Sequence, residues 1–284
     1  CVTAGLIPPV LLHVRRRFAL ANRIRADKLL TARGLFSSRE KAAEAIEAGR
    51  VSVDGKLVEK PSAGVDEGAE ITVMPAADYV GRGAYKLEYA LDAFKIDLKD
   101  RVCLDVGAST GGFTEVMLRR GAAKVYAVDV GTSQLSDKLK GDIRVVNMEK
   151  TDIRGVKPSS LDPAPDFCTI DVSFIPLSHV LKNALSLAGD KECVALVKPQ
   201  FEAGKGAVGK NGVVRDKKTH IAVLKNVFAL VRSLDMRVMG AASSPILGGS
   251  GNREYLLWLG RTGGGLPFEP DILAVVDAAL KIKN

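Results

Sequence analysis

The sequence predicts an α/β fold with a doubly wound, mostly parallel sheet, preceded by a small α+β module. Residues 102–106 form a short apolar run that suits a buried parallel strand, and a turn of small residues at 107–112 leads into a helical pattern from Phe113. A second apolar run at residues 125–129 ends on a carboxylate. This order of strand, glycine turn, helix and strand is the βαβ unit of a Rossmann-like sheet. With 284 residues, 46% of them hydrophobic, the chain is long enough for one α/β core and a small extra module.

The N-terminal module is predicted over residues 23–74, with helices at 26–33 and 38–48 and short strands after them. Ser37 and Glu40 have the spacing of a capping box for the second helix, and Asp54-Gly55 between two short apolar runs indicates a hairpin. Residues 1–22 contain arginines and no acidic residue. We expect them to be a disordered extension outside the fold, or the remnant of an organellar transit segment.

The larger domain is predicted over residues 84–262, after a linker at 75–83. Its first helix is expected at 84–94, and three strands beyond the βαβ unit are expected at 143–147, 167–171 and 193–197. A helix from Pro176 to about Leu187 is expected between the last two of these strands. A glycine- and lysine-rich loop from Lys198 then precedes a helix at 219–234, strands at 237–243 and 254–259, and a C-terminal helix within 263–284. We expect the strand at 254–259 to run antiparallel to the others.

The amino-acid sequence of the turn at 107–112 indicates which cofactor binds there. Serine stands where a dinucleotide fingerprint has its middle glycine, and no His or Tyr is placed for hydride chemistry, which argues against a nicotinamide dehydrogenase. A carboxylate just before the turn suits the cationic tail of S-adenosylmethionine better than a pyrophosphate. Asp129 is placed for the ribose hydroxyls, and Asp152 either for the adenine amino group or as a helix cap. The predicted cofactor-binding set is Asp105, Gly107, Ala108, Ser109, Thr110, Gly111, Gly112, Phe113, Asp129 and Asp152.

Charge and composition predict an anionic partner and no metal. The net charge is +8 and the pI is about 9.3, and nucleic acid is the commonest partner of such a basic protein. The cysteines and histidines have no metal-ligand spacing, and no run reaches the roughly 18 apolar residues of a membrane helix. We therefore expect a cytoplasmic or organellar protein in a reducing compartment, with no membrane or metal partner.

The basic module resembles the S-four-type RNA-binding domain of a small-subunit ribosomal protein and of pseudouridine synthases. The segment that carries the resemblance is RADKLLTARGLFSSREKAAEAIEAGRVSVDGK. The resemblance implies binding of structured RNA through phosphate contacts and shape. The residues expected to contact RNA, including two lysines of the loop after Lys198, are Arg25, Lys28, Arg33, Arg39, Lys41, Arg50, Lys205 and Lys210.

Charged residues stand at the ends of the predicted strands, where open α/β sheets bind ligands. Asp171 and Lys198 end predicted strands, and Glu254 begins the strand expected to run antiparallel, so these three would converge at one edge with Lys86 from the helix at 84–94. The four residues stand in the motifs GAYKLE, TIDVSF, LVKPQFE and NREYLL. With these motifs the whole chain resembles the TlyA (hemolysin A) family, in which an S-four-type domain precedes an FtsJ-like methyltransferase domain. The resemblance implies that these four residues are the catalytic set of an S-adenosylmethionine-dependent ribosomal RNA 2′-O-methyltransferase acting on a ribosomal subunit.

Three questions stay open at this point. Lys198 either accepts the proton of the ribose hydroxyl or only positions that hydroxyl, because neighbouring carboxylates favour its charged form. A non-catalytic RNA-binding protein is the strongest rival function, although the four charged residues argue against it. A cytolysin, which the older family name suggests, would need an apolar membrane segment that the sequence lacks.

Overall fold

The computed structural model describes residues 23–47, 50–54, 56–58, 60–73, 79–189, 191–209, 212–261 and 269–281. The chain divides into two compact units, Cys1–Pro75 and Ala76–Asn284. The predicted extension at 1–22, the Gly55 position of the hairpin and residues 75–78 of the predicted linker lie outside the described residues.

The first unit is a small α+β module. Its helices are α1 (Ala26–Ala32) and α2 (Arg39–Glu47), and its strands are β1 (Arg23–Arg25), β2 (Val51–Val53), β3 (Lys56–Leu57), β4 (Gly64–Asp66) and β5 (Ile71–Val73). Strand β2 pairs antiparallel with both β3 and β5, and β1 pairs antiparallel with β4. The pairing of Val53 with Lys56 confirms the predicted hairpin.

The expected cap of α2 was wrong by one residue. The hydroxyl of Ser38, and not that of Ser37, accepts a hydrogen bond from the backbone N–H of Lys41 at 3.2 Å. Both serines have a hydroxyl that could cap the helix, and the backbone conformation decides which of them does so. The apolar faces of the helices, with Leu30, Ala42 and Ile46, pack on Val51 and Val53 in one small core.

The second unit contains a seven-stranded sheet with helices around it. Its strands are β6 (Val102–Val106), β7 (Lys124–Val128), β8 (Val145–Met148), β9 (Phe167–Ile170), β10 (Glu192–Val197), β11 (Arg237–Ser243) and β12 (Tyr255–Gly260). Its helices are α3 (Ala84–Phe94), α4 (Gly112–Arg119), α5 (Asp137–Lys140), α6 (Leu181–Leu187), α7 (Pro199–Glu202), α8 (Lys217–Ser233) and α9 (Ile272–Lys281).

The strand order in the sheet is β11-β12-β10-β9-β6-β7-β8. The β8, β7, β6, β9 and β10 strands are parallel, and β12 runs antiparallel to both β10 and β11. This confirms the doubly wound, mostly parallel sheet and its single reversed strand. The chain leaves β6 toward β7 on one side and later returns to place β9 on the other, so the switch point of the topology lies beside β6.

Several element boundaries differ from the predictions, and two of the differences place residues of an expected element in a turn. The third strand begins at Val145 and not at residue 143, because Ile143 precedes it in a turn and is 97% exposed. The helix expected from Pro176 begins only at Leu181, after a short 3-10 turn at Leu177–His179. In the first place an apolar residue, and in the second a proline, which is common at the first position of a helix, extended the expected element into a connecting turn.

Candidate active site

The strand ends bring three of the four predicted catalytic residues to one edge of the sheet. Asp171 follows β9, and its backbone N–H donates to the carbonyl of Val106 at the end of β6. Lys198 follows β10, and Glu254 precedes β12. Because Val197 pairs with Tyr255 in the antiparallel register, Lys198 and Glu254 leave the sheet side by side.

Lys86 reaches this edge from the first turn of α3 and forms a buried ion pair. Its Nζ donates to Oε2 of Glu254 at 2.6 Å, and the two residues are 8% and 3% exposed. Burial lowers the pKa of Lys86, but the carboxylates of Glu254 and Asp171 outweigh burial and hold that pKa above its ordinary value. Lys86 is therefore a charged ammonium at neutral pH.

Lys198 forms the second ion pair of the site. Its Nζ lies 2.6 Å from Oδ1 of Asp171 and donates to the hydroxyl of Ser173 at 2.8 Å. The contact with Asp171 is close but lacks hydrogen-bond geometry, and among the described residues Oδ1 of Asp171 accepts no hydrogen bond. The site thus contains two lysines and two carboxylates joined in two pairs.

Glycine permits two close backbone approaches at the turn after β6. Gly107 has φ +87°, and a Cβ there would collide with the backbone carbonyl of Asp171. At Gly112 a Cβ would come within 3.0 Å of the backbone nitrogen of Ala84, the first residue of α3. These close approaches bring Asp171 and the start of α3 against the turn, so the predicted cofactor turn and the predicted catalytic residues adjoin.

A cavity of about 480 Å³ opens beside the turn, between the ends of β6, β7 and β9. Of the predicted cofactor residues, Gly107, Ser109, Asp129 and Asp152 line it. Oδ2 of Asp129 accepts the N–H of Ser109 at 2.8 Å, and Oδ1 accepts the N–H of Gly131 at 2.7 Å. These bonds fix the carboxylate at the cavity wall and leave lone pairs on each oxygen for a ligand.

A smaller cavity of about 180 Å³ adjoins the two ion pairs. Lys86 and Asp171 line it, together with Ala108, Ser109, Thr110, Gly112 and Phe113 of the turn. Gly107, Ser109 and Asp171 border both cavities. The two cavities therefore meet where the glycine turn faces Asp171.

Asp105 is not brought to either cavity. It is fully buried, and its two oxygens accept hydrogen bonds from the hydroxyls of Thr114 at 2.6 Å and Thr169 at 2.9 Å. Burial raises the pKa of Asp105 to about 6, against the lowering effect of the two threonines. Asp105 therefore links β6 to α4 and to β9. The sequence had instead predicted that it contacts the cofactor.

Asp152 has the capping geometry that the sequence left as one of two alternatives. Its Oδ1 accepts the backbone N–H of Arg154 at 2.9 Å, at the start of the 3-10 turn Ile153–Gly155. Hydrogen bonds from the Arg154 guanidinium and this backbone N–H lower the pKa of Asp152 to about 2. Because Asp152 also lines the larger cavity, a role toward adenine remains compatible with the cap.

Comparison with known proteins assigns the chain to a family. Residues 79–261 match the FtsJ-like methyltransferase family, and residues 24–71 match the S4 domain. A Mycobacterium tuberculosis protein named 16S/23S rRNA (cytidine-2′-O)-methyltransferase TlyA is 46% identical over 243 residues, which cover 84% of this chain and 91% of that protein. The chain belongs to the TlyA family of FtsJ-like methyltransferases. This confirms the family resemblance predicted from the sequence motifs.

Two further relatives of the TlyA family cover nearly the whole chain. A Bacillus subtilis protein, YqxC, provisionally named an rRNA methyltransferase, is 45% identical over 90% of this chain and 94% of its own length. A solved structure from Streptococcus thermophilus, provisionally named a hemolysin, has a TM-score of 0.69 and 42% identity and covers 92% of this chain and 96% of its own. In the described part of this chain, no helix is long and apolar enough to cross a membrane.

In the first unit of this TlyA-family chain, all the predicted RNA-binding residues are exposed or half-buried, and Arg33 also joins two elements of the unit. Arg33 donates to the backbone carbonyls of Ala69, at 2.6 Å, and Glu67, so its guanidinium joins α1 to the turn after β4. Arg25, Lys28, Arg39, Lys41 and Arg50 are exposed or half-buried. Of the two loop lysines, Lys205 begins a 3-10 turn but its side chain lies outside the described residues, as does Lys210 entirely.

Sequence reasoning missed several residues of the site. Ser173 contacts Lys198, Arg82 lines the smaller cavity near Lys86, and Phe174 lines the larger one while 87% exposed. Spacing carried a signal for two of them, since Ser173 lies two residues after Asp171 and Arg82 lies four before Lys86. Among the described residues, no group of three or more His, Cys, Asp or Glu could hold a metal ion.

Proposed function

We propose that this chain transfers the methyl group of S-adenosylmethionine to a ribose 2′-hydroxyl of ribosomal RNA. Membership of the TlyA family supports the methyltransferase reaction, and the names of its relatives support an rRNA substrate and the 2′-oxygen. The arrangement of Lys86, Asp171, Lys198 and Glu254 as two ion pairs beside the cavities is the single observation that carries the proposal.

The residues present fit the cofactor. The larger cavity, about 480 Å³, has the size of a small-molecule site. Asp129 is held there by two backbone N–H groups with lone pairs available for a ribose diol, and Asp171 borders both cavities where they meet. S-adenosylmethionine, when bound, supplies a methyl group on a positively charged sulfur. Asp129 would hold the ribose, and the turn at 107–113 would face the amino-acid end.

The two ion pairs would receive the nucleotide that is methylated. Lys86 is kept charged by Glu254 and Asp171, so it serves as a fixed hydrogen-bond donor and not as a base. Lys198 already donates to Ser173 and contacts Asp171, and its Nζ would donate a further hydrogen bond to the attacking oxygen. Of the two roles left open by the sequence, this pairing supports the positioning role for Lys198.

The first unit would provide most of the RNA affinity. Its exposed basic residues and its match to the S4 domain support contact with structured RNA, and the rRNA named for the relatives is structured within ribosomal subunits. We therefore propose a ribosomal subunit as the substrate, and as location the compartment that holds the ribosomes, the cytoplasm or an organelle. The domains would be 23–74 for RNA binding and 84–262 for methyl transfer, followed by the helix at 263–284.

Incubation of the purified protein with S-adenosylmethionine labelled in its methyl group tests the proposal. The substrates are purified large subunits, small subunits and protein-free rRNA from cells that lack the protein. We expect label in RNA at a site that resists alkaline hydrolysis, because a methylated 2′-oxygen cannot attack the adjacent phosphate. Asp171→Asn should abolish labelling, whereas the exposed control Asp137→Asn should not. Absence of label with every substrate, or label on a base, would contradict the proposal.

A further inference from the structure

One buried carboxylate organises the basic surface of the first unit. Asp27 lies in the first turn of α1 and is 3% exposed. Among the described residues of this unit, it is the only charged residue that is buried. Its Oδ1 accepts Nε of Arg25 at 3.0 Å, and its Oδ2 accepts Nη2 of Arg25 at 2.9 Å and Nη2 of Arg39 at 2.8 Å. Two arginines from different elements, the end of β1 and the start of α2, therefore meet on one carboxylate.

The backbone holds Asp27 itself in place. Its Oδ1 also accepts the N–H of Lys28 at 2.8 Å, and its own N–H donates to the carbonyl of Pro61 at 3.1 Å. The hydrogen bonds from Arg25 contribute most to lowering the pKa of Asp27, and those from Arg39 and Lys28 add to them. Together they outweigh burial and hold this pKa well below its usual range. The carboxylate is therefore ionised at any pH at which the protein is used, and its position does not depend on the arginines alone.

The arginines remain available on their outer side. Their side chains are 50% and 55% exposed, whereas that of Asp27 is 4% exposed. Asp27 engages the Nε–Nη2 edge of Arg25 and one nitrogen of Arg39, and a guanidinium has five N–H donors, so donors on both remain for a second partner. One arginine would suffice to neutralise the carboxylate. The second gives the cluster a net positive charge at the surface.

We infer that Asp27 is a positioning residue that fixes Arg25 and Arg39 as a preformed pair for the phosphodiester backbone of RNA. The inference rests on the proposed RNA substrate. It adds which residues contact the RNA phosphates, Arg25 and Arg39, and which residue orders them beforehand, Asp27. A free arginine side chain loses rotamer freedom when it is ordered, and guanidinium groups contact phosphate in a defined fork geometry. Ordering both side chains before RNA arrives removes that cost from binding.

The alternative is that Asp27 only caps α1 and that the arginines act by charge. The two explanations predict opposite signs for Asp27→Asn, a nearly isosteric change that keeps the acceptor for Lys28. If only charge matters, removing a negative group raises the net charge by one unit and strengthens RNA binding. If Asp27 positions the arginines, binding weakens although the protein has become more basic.

The experiment measures the dissociation constant of the full chain for purified large and small ribosomal subunits between about 50 and 200 mM salt. We expect Asp27→Asn to weaken binding roughly tenfold and to lower the slope of log affinity against log salt, because fewer phosphate contacts are ordered. The matched control is Glu44→Gln, on an exposed position of α2, which makes the same charge change and should leave binding equal or slightly tighter. Equal or tighter binding by Asp27→Asn would overturn the inference.

A second variant protects the test against misfolding of the first unit. Arg25→Lys with Arg39→Lys keeps every charge and does not touch the buried carboxylate, but a lysine cannot offer the same planar fork. We expect a similar loss of affinity, and unchanged affinity would overturn the inference. Arg39→Ala should also cost less in the Asp27→Asn background than in the wild type. If the wild-type protein neither binds nor methylates the subunits, the proposed function has failed, and not this inference.

Discussion

The Nζ of Lys86 lies 2.6 Å from Oε2 of Glu254, although 168 positions of sequence separate the two residues. This pair joins the first turn of α3 to the start of β12 and is shielded from solvent. Removal of one partner leaves the other charge buried and unpaired. A substitution in this pair should therefore change both the stability of the second unit and its methyltransferase activity.

Glu254→Gln should therefore destabilise the protein as well as inactivate it. We expect the free energy of unfolding to fall by about 3 kcal/mol, the usual cost of breaking a buried pair on one side. Urea denaturation measures this. The control Asp137→Asn, whose carboxylate is fully exposed in its contact with Lys140, should change stability by less than about 0.5 kcal/mol. Equal stability of the two variants would mean that Lys86 finds another partner.

The same pair predicts a dependence of stability on alkaline pH. The pKa of Lys86 is raised in the folded protein, so its contribution is complete below the unfolded lysine pKa of about 10.4 and is lost as the pH rises through the folded value. Wild-type stability should fall above about pH 10 more steeply than that of the double variant Lys86→Met, Glu254→Leu. Parallel curves for the two proteins would show that Lys86 titrates normally.

Asp129→Ala should weaken cofactor binding without affecting the fold. Loss of a charge-assisted pair of hydrogen bonds to the ribose corresponds to roughly 1.5 to 3 kcal/mol. Calorimetry with S-adenosylmethionine measures the change, and Asp137→Ala is the exposed control. Unchanged affinity would remove Asp129 from the site and leave it only as an acceptor for the N–H groups of Ser109 and Gly131.

Asp105→Asn separates the structural place of this residue from the role predicted from the sequence. The pKa of Asp105 is raised to about 6, so the folded state binds a proton more tightly than the unfolded state, and wild-type stability should fall as the pH rises from about 4 to about 6. The asparagine variant lacks this dependence and should be as stable as the wild type at pH 8, or more stable by up to about 3 kcal/mol.

Cofactor affinity provides the second measurement for Asp105. Because both its oxygens are bonded to threonines and it lines neither cavity, we expect Asp105→Asn to bind S-adenosylmethionine within about threefold of the wild type. A loss beyond about tenfold would place Asp105 in the cofactor site after all.

Lys198→Arg tests how Lys198 acts. Arginine keeps the charge and can contact Asp171 and Ser173, but it does not accept a proton near neutral pH. If Lys198 positions the hydroxyl, this variant should retain turnover within about tenfold, whereas Lys198→Ala should lose at least about 100-fold. Equal losses in the two variants would restore the role of general base. Single-turnover methylation at saturating cofactor and RNA is the measurement.

The sequence by itself determined the fold and the positions where charged groups leave the sheet. Hydrophobic runs of strand length, the helical period after a turn of small residues and the glycines at 107 and 112 are local signals, and they predicted the βαβ unit and the reversed strand. Asp129, Asp171 and Lys198 stand next to such runs, so their place at one edge followed from the parallel sheet.

Only the tertiary structure decided which groups are partners. The backbone register sets Lys198 beside Glu254, yet Lys198 contacts Asp171, while Glu254 pairs with Lys86 from a helix that begins far earlier in the chain. Asp105 stands at a strand end like the others, but the strand's alternation turns it toward Thr114 and Thr169. Ion pairs and burial depend on side-chain direction and on contacts between distant segments, and neither is encoded in local spacing.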